Sequence, residues 1–290
     1  MKTVIAWLPV VMLPAATLLL VPDDWPRWML MWLFVWTIFA GCKWLTWWTA
    51  PSGAPWWRHC GYLTLWPGLD ADSFLQSPSV SRPAASSWLF AFAKFGLGCV
   101  LVWGVAPLLP REPDLLRGWV GMIGIVFLLH FGVFDILSLA WQSAGVGAKP
   151  LMNWPILATS VSEFWGQRWN TAFRDLTHRF LFRPLTIRYG AKPALCVGFI
   201  FSGVVHELAI SMPMGAGWGG PMAFFLVQGG AVFLERSPLG VRLGLGRGVI
   251  GRMFALVFLA GPSWLLFHPP FVGGVIVPFL DYIVARRSAS

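Results

Sequence analysis

Apolar runs about as long as a bilayer is thick leave this chain few folds to choose from. An α-helix needs about 20 mostly apolar residues to cross the hydrocarbon core of a membrane. Runs of that character fall at 4–21, 28–41, 87–109, 119–141, 193–212, 220–235, 253–268 and 271–285. Backbone polar groups find no water partners in lipid, so such runs must close their hydrogen bonds internally, as helices. The rest of the composition agrees. Only 11% of the 290 residues are charged and 57% are hydrophobic, where a soluble domain carries about 25% charged residues. We expect an all-α polytopic membrane protein with about eight transmembrane helices.

Basic residues set an orientation. With the N-terminus in the cytoplasm and eight crossings, most of the 21 Lys and Arg residues fall on the cytoplasmic side. They include Lys2, Lys43, Arg58, Arg82, the segment Lys149 to Lys192, the segment Arg236 to Arg252, Arg286 and Arg287. That bias follows the positive-inside rule and places both termini in the cytoplasm. The first apolar run ends at Val21-Pro22-Asp23-Asp24 with no small-x-small cleavage site, and reads as a retained span. Compact loops point to a bacterial inner membrane. The net charge of +9 belongs to these loops. Nucleic-acid binding would need a soluble basic module, and none is expected. Cys42, Cys60, Cys99 and Cys196 lack metal-ligand or disulfide-framework spacing, so no metal site is expected.

Two polar intervals separate the spans. Residues 50–86, rich in Pro, Ser and Trp, read as an irregular cytoplasmic loop. Residues 142–192 are more structured. Ser160-Val161-Ser162-Glu163 fits a capping box and predicts a helix start. Trp165, Trp169, Phe173, Leu176 and Phe180 then recur at helical spacing, with Gln167, Arg168, Asn170, Arg174, Asp175, His178 and Arg179 on the other sides. Asp175 and Arg179 are spaced to pair. Arg183-Pro184 is the expected stop, because a residue before proline is pushed out of the helical region. The pattern predicts one amphipathic interfacial helix over 161–182 on the cytoplasmic face. We expect one integral membrane domain over 1–290, with N-terminal spans and loop in 1–118 and the chemistry-bearing core in 119–285.

The costliest residues in the chain are His206 and Glu207, inside PALCVGFIFSGVVHELAISM (193–212). An ionisable side chain at membrane depth marks a functional site by default. A neutral imidazole can take a proton from a hydroxyl, help worth about 10²–10⁴-fold. His206 could equally tie two helices together, and Glu207, about 100° around the helix, could be structural. Asn170 could polarise a carbonyl or be an ordinary solvated residue. The basic run Arg168, Arg174, Arg179, Arg183, Arg188 and Lys192 suits anionic lipid or a phosphorylated ligand such as coenzyme A. His130 and Asp135, five apart in the span 119–141, could face the same polar chamber as His206; His178 reads as interfacial and His268 as lying at a span end. These residues leave open acyl transfer to a lipid alcohol, a proton-coupled transporter using His206 and Glu207, and a structural scaffold.

Two motifs carry a resemblance. SEFWGQRWN (162–170) resembles the FWG-x-RWN signature of wax synthases, the long-chain-alcohol branch of the membrane-bound O-acyltransferase superfamily. SGVVHEL (202–208) resembles that family's histidine motif, and the basic stretch FRDLTHRFLFRPL (173–185) lies between them. HFGVFDILSLAW (130–141), PLMNWP (150–155) and LFHPPFV (266–272) add weaker likeness. The resemblance implies an acyl-CoA-dependent O-acyltransferase core at 119–285, with His206 and Asn170 catalytic. Trp165, Arg168, Trp169, Arg174, His178 and Glu207 become candidate substrate-binding residues. The partners it implies are acyl-CoA, as donor substrate rather than cofactor, and a lipid hydroxyl acceptor within the membrane. A glycan, sterol or diacylglycerol acceptor is the variant within the same chemistry.

Overall fold

The computed structural model describes residues 2–51 and 53–288. The side chains of Lys2, Arg286 and Arg287, counted above among the cytoplasmic charges, lie outside the described residues. Among the described residues the chain is helical, with no strand. Five helices are long and apolar enough to cross a membrane: Arg27–Trp48, Ala85–Leu108, Leu115–Ser143, Ala191–Met214 and Gly248–Leu266. Three further apolar helices, Ile5–Leu20, Gly220–Glu235 and Pro269–Ala285, are shorter. Each of the eight apolar runs is therefore helical, and five have the length and composition of a span. Residues 1–151 with 272–290 form one compact unit and residues 152–271 a second. That division falls at other points than the expected boundary after residue 118.

In the first unit, Lys2–Leu20 packs along Arg27–Trp48. Gly41 permits the approach: a Cβ there would sit 2.6 Å from the Cα of Val10. Gly98 does the same between Ala85–Leu108 and Leu115–Ser143, where a Cβ would meet the backbone nitrogen of Leu128 at 2.5 Å. Small residues at such crossings let backbones pack closely where lipid supplies no hydrophobic drive.

Residues 50–86 are more ordered than expected. They hold helices Trp56–Leu65 and Ala71–Gln76 and bury Tyr62, Trp66 and Phe74. The reason is aromatic packing: Phe74 lies 5.6 Å from Tyr62 and 5.0 Å, edge-on, from Trp141. Lys43, expected among the loop charges, is buried within Arg27–Trp48. Its ammonium donates to the carbonyls of Trp66 (2.6 Å) and Gly68 (2.5 Å) and sits 3.4 Å over the Tyr62 ring. Arg117 is likewise buried and pairs with Asp281. Lys94 pairs with Asp135, which is buried. His130, also in this unit, packs against Phe134.

In the second unit, Ala191–Met214 and Gly220–Glu235 pack side by side. The segment before them departs from the expected single helix over 161–182. A short helix Val161–Glu163 runs into a π-helical turn Phe164–Arg168. Trp169 is then extended, and Asn170 is left-handed (φ 42°, ψ 61°). A new helix, Thr171–Thr177, starts from Asn170, and the chain stays helical through Arg183–Tyr189 until Gly190 at φ 87°. Pro184 therefore does not stop the helix. It occupies an early position in Arg183–Tyr189, preceded by the π-helical turn His178–Phe182. The wider turn offers proline a place where its missing N–H costs little.

The Lys94–Asp135 pair makes a first test. Removing one partner of a buried ion pair strands the other charge, at a cost of about 3–5 kcal/mol, whereas replacing both with apolar groups is close to neutral. Lys94→Met is expected to lower the thermal midpoint of the purified protein strongly. Lys94→Met/Asp135→Leu should recover most of that loss when followed by tryptophan fluorescence in detergent. A double variant no more stable than the single one would show that the pair is not the unit of stability.

Candidate active site

Three polar devices hold the 159–170 segment in place. Ser160 Oγ accepts from Glu163 N at 2.9 Å, the first half of the expected capping box. The second half reaches one residue further back: Glu163 Oε2 accepts from Thr159 N (2.7 Å) and Thr159 Oγ1 (2.9 Å). The start of helix Val161–Glu163, where Ser160 and Val161 are buried, is closed from elsewhere in the unit. Glu235, buried at the end of Gly220–Glu235, accepts from Val161 N (2.9 Å) and Ser162 N (3.0 Å), one bond per carboxylate oxygen. Free amides and a positive dipole end favour a carboxylate there.

Arg168 is occupied by the loop itself. It forms an ion pair with Glu163 (2.6 Å) and donates to the carbonyls of Asn153 (3.1 Å) and Trp154 (3.2 Å). Its guanidinium closes the turn and is not spread out for a phosphate. Arg174 is exposed and pairs with Asp175 at 3.0 Å, and His178 is exposed and stacks on Phe182. Arg183 and Arg188, on Arg183–Tyr189, and Lys192, at the start of the histidine-bearing helix, are exposed.

The aromatic residues of the segment serve protein packing instead of one lipid-facing stripe. Trp165 lies 5.5 Å from the buried ring of Phe225, and its Nε1 donates to Gln228 Oε1 at 3.2 Å. Trp169 stacks on Phe164, Phe173 stacks on Phe201, and Leu176 is buried. Gln228 is itself fully buried and donates to the Phe258 carbonyl at 2.7 Å. A side-chain amide thereby joins Trp165 to the helix Gly248–Ala260.

His206 meets the same platform. Its ring centroid lies 4.5 Å from that of Phe225, so Trp165 and His206 converge on one phenylalanine. His206 Nδ1 is 2.7 Å from the Ser202 carbonyl. A carbonyl can only accept, so Nδ1 carries the hydrogen and Nε2 of the neutral ring keeps its lone pair. Directly after His206 the helix widens into a π-helical turn, Glu207–Ser211. Turns of this kind recur at functional sites. From Lys192 to His206 the helix rises about 21 Å, which sets the imidazole deep in the span.

Glu207 has a defined place. Its Oε1 accepts from Gly219 N (2.9 Å) and Met222 N (3.1 Å), at the N-terminus of Gly220–Glu235. Asn170 has one too. Its Oδ1 accepts from Phe173 N at 3.2 Å and caps Thr171–Thr177, while its backbone N–H points at Met152 Sδ. Asparagine is among the few non-glycine residues that enter the left-handed region readily. Among the described residues, no group of three or more His, Cys, Asp or Glu side chains could hold a metal ion.

The sequence reading passed over Phe225, Gln228 and Glu235. Gln228 and Glu235 did carry a signal, as polar residues inside the apolar run 220–235.

Comparison with known proteins supports the resemblance. Residues 148–227, which hold both motifs, match the membrane bound O-acyl transferase family. A long-chain-alcohol O-fatty-acyltransferase of Simmondsia chinensis is 31% identical over 101 residues, 30% of this chain and 29% of the relative. An Arabidopsis thaliana protein named as a probable long-chain-alcohol O-fatty-acyltransferase is 26% identical over 224 residues, 69% of this chain and 62% of the relative. An Arabidopsis acyl-CoA–sterol O-acyltransferase is 31% identical over 164 residues, covering 50% and 47%. The chain spans less than two thirds of the length of each of these relatives. The likeness to the wax synthase branch, read first from 162–170 and 202–208, is borne out.

Two predictions follow from this geometry. Asn170→Ala loses a cap and places alanine in the left-handed region, and is expected to destabilise the protein by about 2 kcal/mol. Asn170→Asp keeps both features, so its thermal midpoint should stay near that of the wild type. Any catalytic loss in Asn170→Asp would then isolate the work of the amide nitrogen. Glu163 gives a pH dependence. Burial pushes its carboxyl up, but the hydrogen bonds from Thr159 and Arg168 outweigh this and hold it below the usual carboxylate range. A depressed folded value means its stabilisation is present above the unfolded value and lost as pH falls through the folded one. Limited proteolysis of the 153–170 segment should accelerate as pH drops below the ordinary Glu range, and Glu163→Gln should flatten that response. Identical acid profiles in both proteins would remove Glu163 from the account.

Proposed function

We propose that this protein transfers a fatty acyl group from acyl-CoA to the hydroxyl of a long-chain lipid alcohol, with His206 as the general base. The observation that carries the reading is the 2.7 Å contact of His206 Nδ1 with the Ser202 carbonyl, which puts the hydrogen of a neutral ring on Nδ1 and leaves Nε2 as a base beside Phe225. The alcohol hydroxyl donates to Nε2. Its oxygen attacks the thioester carbonyl, a C–O bond forms, and the C–S bond breaks. The proton passes through Nε2 to the departing CoA thiolate. Each product is neutral at the reacting centre, and no acyl-enzyme is needed. Asn170 would orient the donor through its free amide nitrogen while its oxygen caps the helix. Trp165, Trp169 and Glu207 would shape the surroundings of the reacting groups.

The remainder of the topology belongs to the same proposal. We infer eight crossings with both termini in the cytoplasm, supported by the eight apolar helices and the distribution of basic residues. The exposed Arg174, Arg183, Arg188 and Lys192 then lie at the cytoplasmic interface, suited to the phosphates of CoA or to anionic lipid. The compact loops support a bacterial plasma membrane, although the similar proteins named above are from plants. Fatty alcohol is the preferred acceptor because long-chain-alcohol enzymes recur among the similar proteins; the sterol-acylating relative makes sterol the second acceptor to screen.

The test is ester formation from labelled acyl-CoA and a fatty alcohol in membranes carrying the protein, with a sterol in parallel. His206→Ala is expected to lower the rate by at least 10²-fold, at the lower end of general-base contributions. Full activity in His206→Ala would overturn the mechanism. Proton-driven solute uptake without ester formation would overturn the reaction class.

A further inference from the structure

Most buried polar atoms of the second unit are satisfied, and two that are not lie against the same turn. Glu207 Oε2 and His268 Nε2 are both buried and neither has a hydrogen-bond partner, so they do not bond to each other. His268 as a whole is only 6% exposed. Its Nδ1 accepts from Phe271 N at 3.1 Å, so the hydrogen of the neutral ring sits on Nε2. The orphans are complementary: Nε2–H is a donor, and Oε2 of the carboxylate is an acceptor.

The turn Gly215 to Met222 brings them together. Glu207 Oε1 holds it from one side through Gly219 N and Met222 N. The His268 ring lies against Gly217, where φ is 77° and a Cβ would overlap the ring at Nε2. Ser211 Oγ reaches the Gly217 carbonyl at 3.4 Å. Leaving such atoms unmatched is expensive, and native structures rarely do it without a ligand or ordered water to answer them.

We propose that His268 and Glu207 together bind one hydroxyl group, the headgroup of the lipid alcohol, which accepts from His268 Nε2 and donates to Glu207 Oε2. For the identity of the ligand this rests on the acyl-transfer reading. A hydroxyl has one proton. While it donates to Glu207 it cannot donate to His206 Nε2, so this is a holding position occupied before reaction. An interaction made only in the ground state tightens binding of the alcohol without changing kcat/KM. Glu207 thereby gains a binding role that the helix cap by itself does not supply.

The experiment measures binding of tritiated hexadecan-1-ol to the purified full chain in detergent, with hexadecane as competitor control. Ester synthesis is measured on the same samples. His268→Asn keeps an acceptor for Phe271 N and, being shorter, withdraws the donor from the Nε2 position. Glu207→Gln keeps an acceptor for the two helix amides and removes the acceptor at Oε2. Glu207→Gln is expected to weaken hexadecanol binding about tenfold or more, the scale of one hydrogen bond to a charged group, and His268→Asn by about three- to tenfold, the scale of a neutral one. Acyl-CoA affinity should stay within about twofold in both variants and kcat/KM within about twofold in His268→Asn, and His268→Gln, which can restore a donor, should recover part of the binding. Wild-type hexadecanol affinity in both variants would overturn the proposal and leave only a bridging water. A parallel fall in acyl-CoA affinity and kcat/KM would also overturn it, by revealing a purely structural pair. If His268→Asn does not fold, Glu207→Gln decides alone. Alcohol binding that depends on His268 in a protein making no ester would sink the acyl-transfer reading and keep the hydroxyl site.

Discussion

The second unit depends on one carboxylate. Glu235 sits at the end of an apolar helix, in a setting where a lone charge is costly, and takes the first two free amides of the segment that carries Trp165 and Asn170. Every backbone group withdrawn from water must find a partner inside the protein. Here a short, irregular segment cannot supply its own, and a neighbouring helix supplies them. The same helix gives Gln228 to Trp165 and the Phe225 ring to both Trp165 and His206. Its opposite end is closed by Glu207. Gly220–Glu235 thus works as a strut: the motif segment hangs from one end, the histidine turn caps the other, and the aromatic contact lies between.

How legible this was in the sequence varied with how local the deciding physics is. The eight apolar runs follow from hydropathy, which acts residue by residue, and each forms a helix. The start at Ser160 followed from a pattern four residues long and holds. The continuous helix over 161–182 did not, because its stripe was ambiguous. Trp165, Phe173 and Leu176 do have helical spacing, but they pack on other helices across a break at Trp169-Asn170. Periodicity does not show that an asparagine will turn left-handed and begin a second helix. That choice is made by a cap to Phe173 and by the anchoring of Arg168 to the carbonyls of Asn153 and Trp154.

Charge was the least legible quantity. Counting Lys and Arg by loop treats each as a solvated cation, yet Lys43 is buried among carbonyls and an aromatic ring, and Arg168 is spent on its own loop. The expected positive-inside bias is a sum over many residues, so one buried lysine changes it little. An argument that assigns a particular arginine to a ligand does not. Lys94 and Asp135, and Arg117 and Asp281, show the ordinary resolution of charge in this chain: opposite partners meet. The oxygen of Glu207 and the nitrogen of His268 are among the buried polar atoms that the protein alone leaves unmatched, and they differ from the others in being complementary and set against one turn.

The partner of His206 also bears on the kind of reaction it suits. In a serine protease the second ring nitrogen faces a carboxylate, which holds the tautomer and stabilises the imidazolium. Here it faces a backbone carbonyl. A carbonyl holds the tautomer as firmly but offers a cation only a dipole. A base so arranged is ill suited to storing a proton, and well suited to passing one on within the same step. The proposed acyl transfer from a thioester asks for that. A leaving thiolate, with an ordinary thiol pKa of about 8.5, does not depend on prior protonation to depart, and the histidine would hand its proton on as the C–S bond breaks. The imidazolium need exist only while the tetrahedral centre collapses. A transfer from an oxygen ester or an amide, whose leaving group must be protonated to depart, would place a heavier demand on the same histidine. Under the proposed reading, a carbonyl-held histidine therefore suits a thioester donor better than an oxygen ester or an amide.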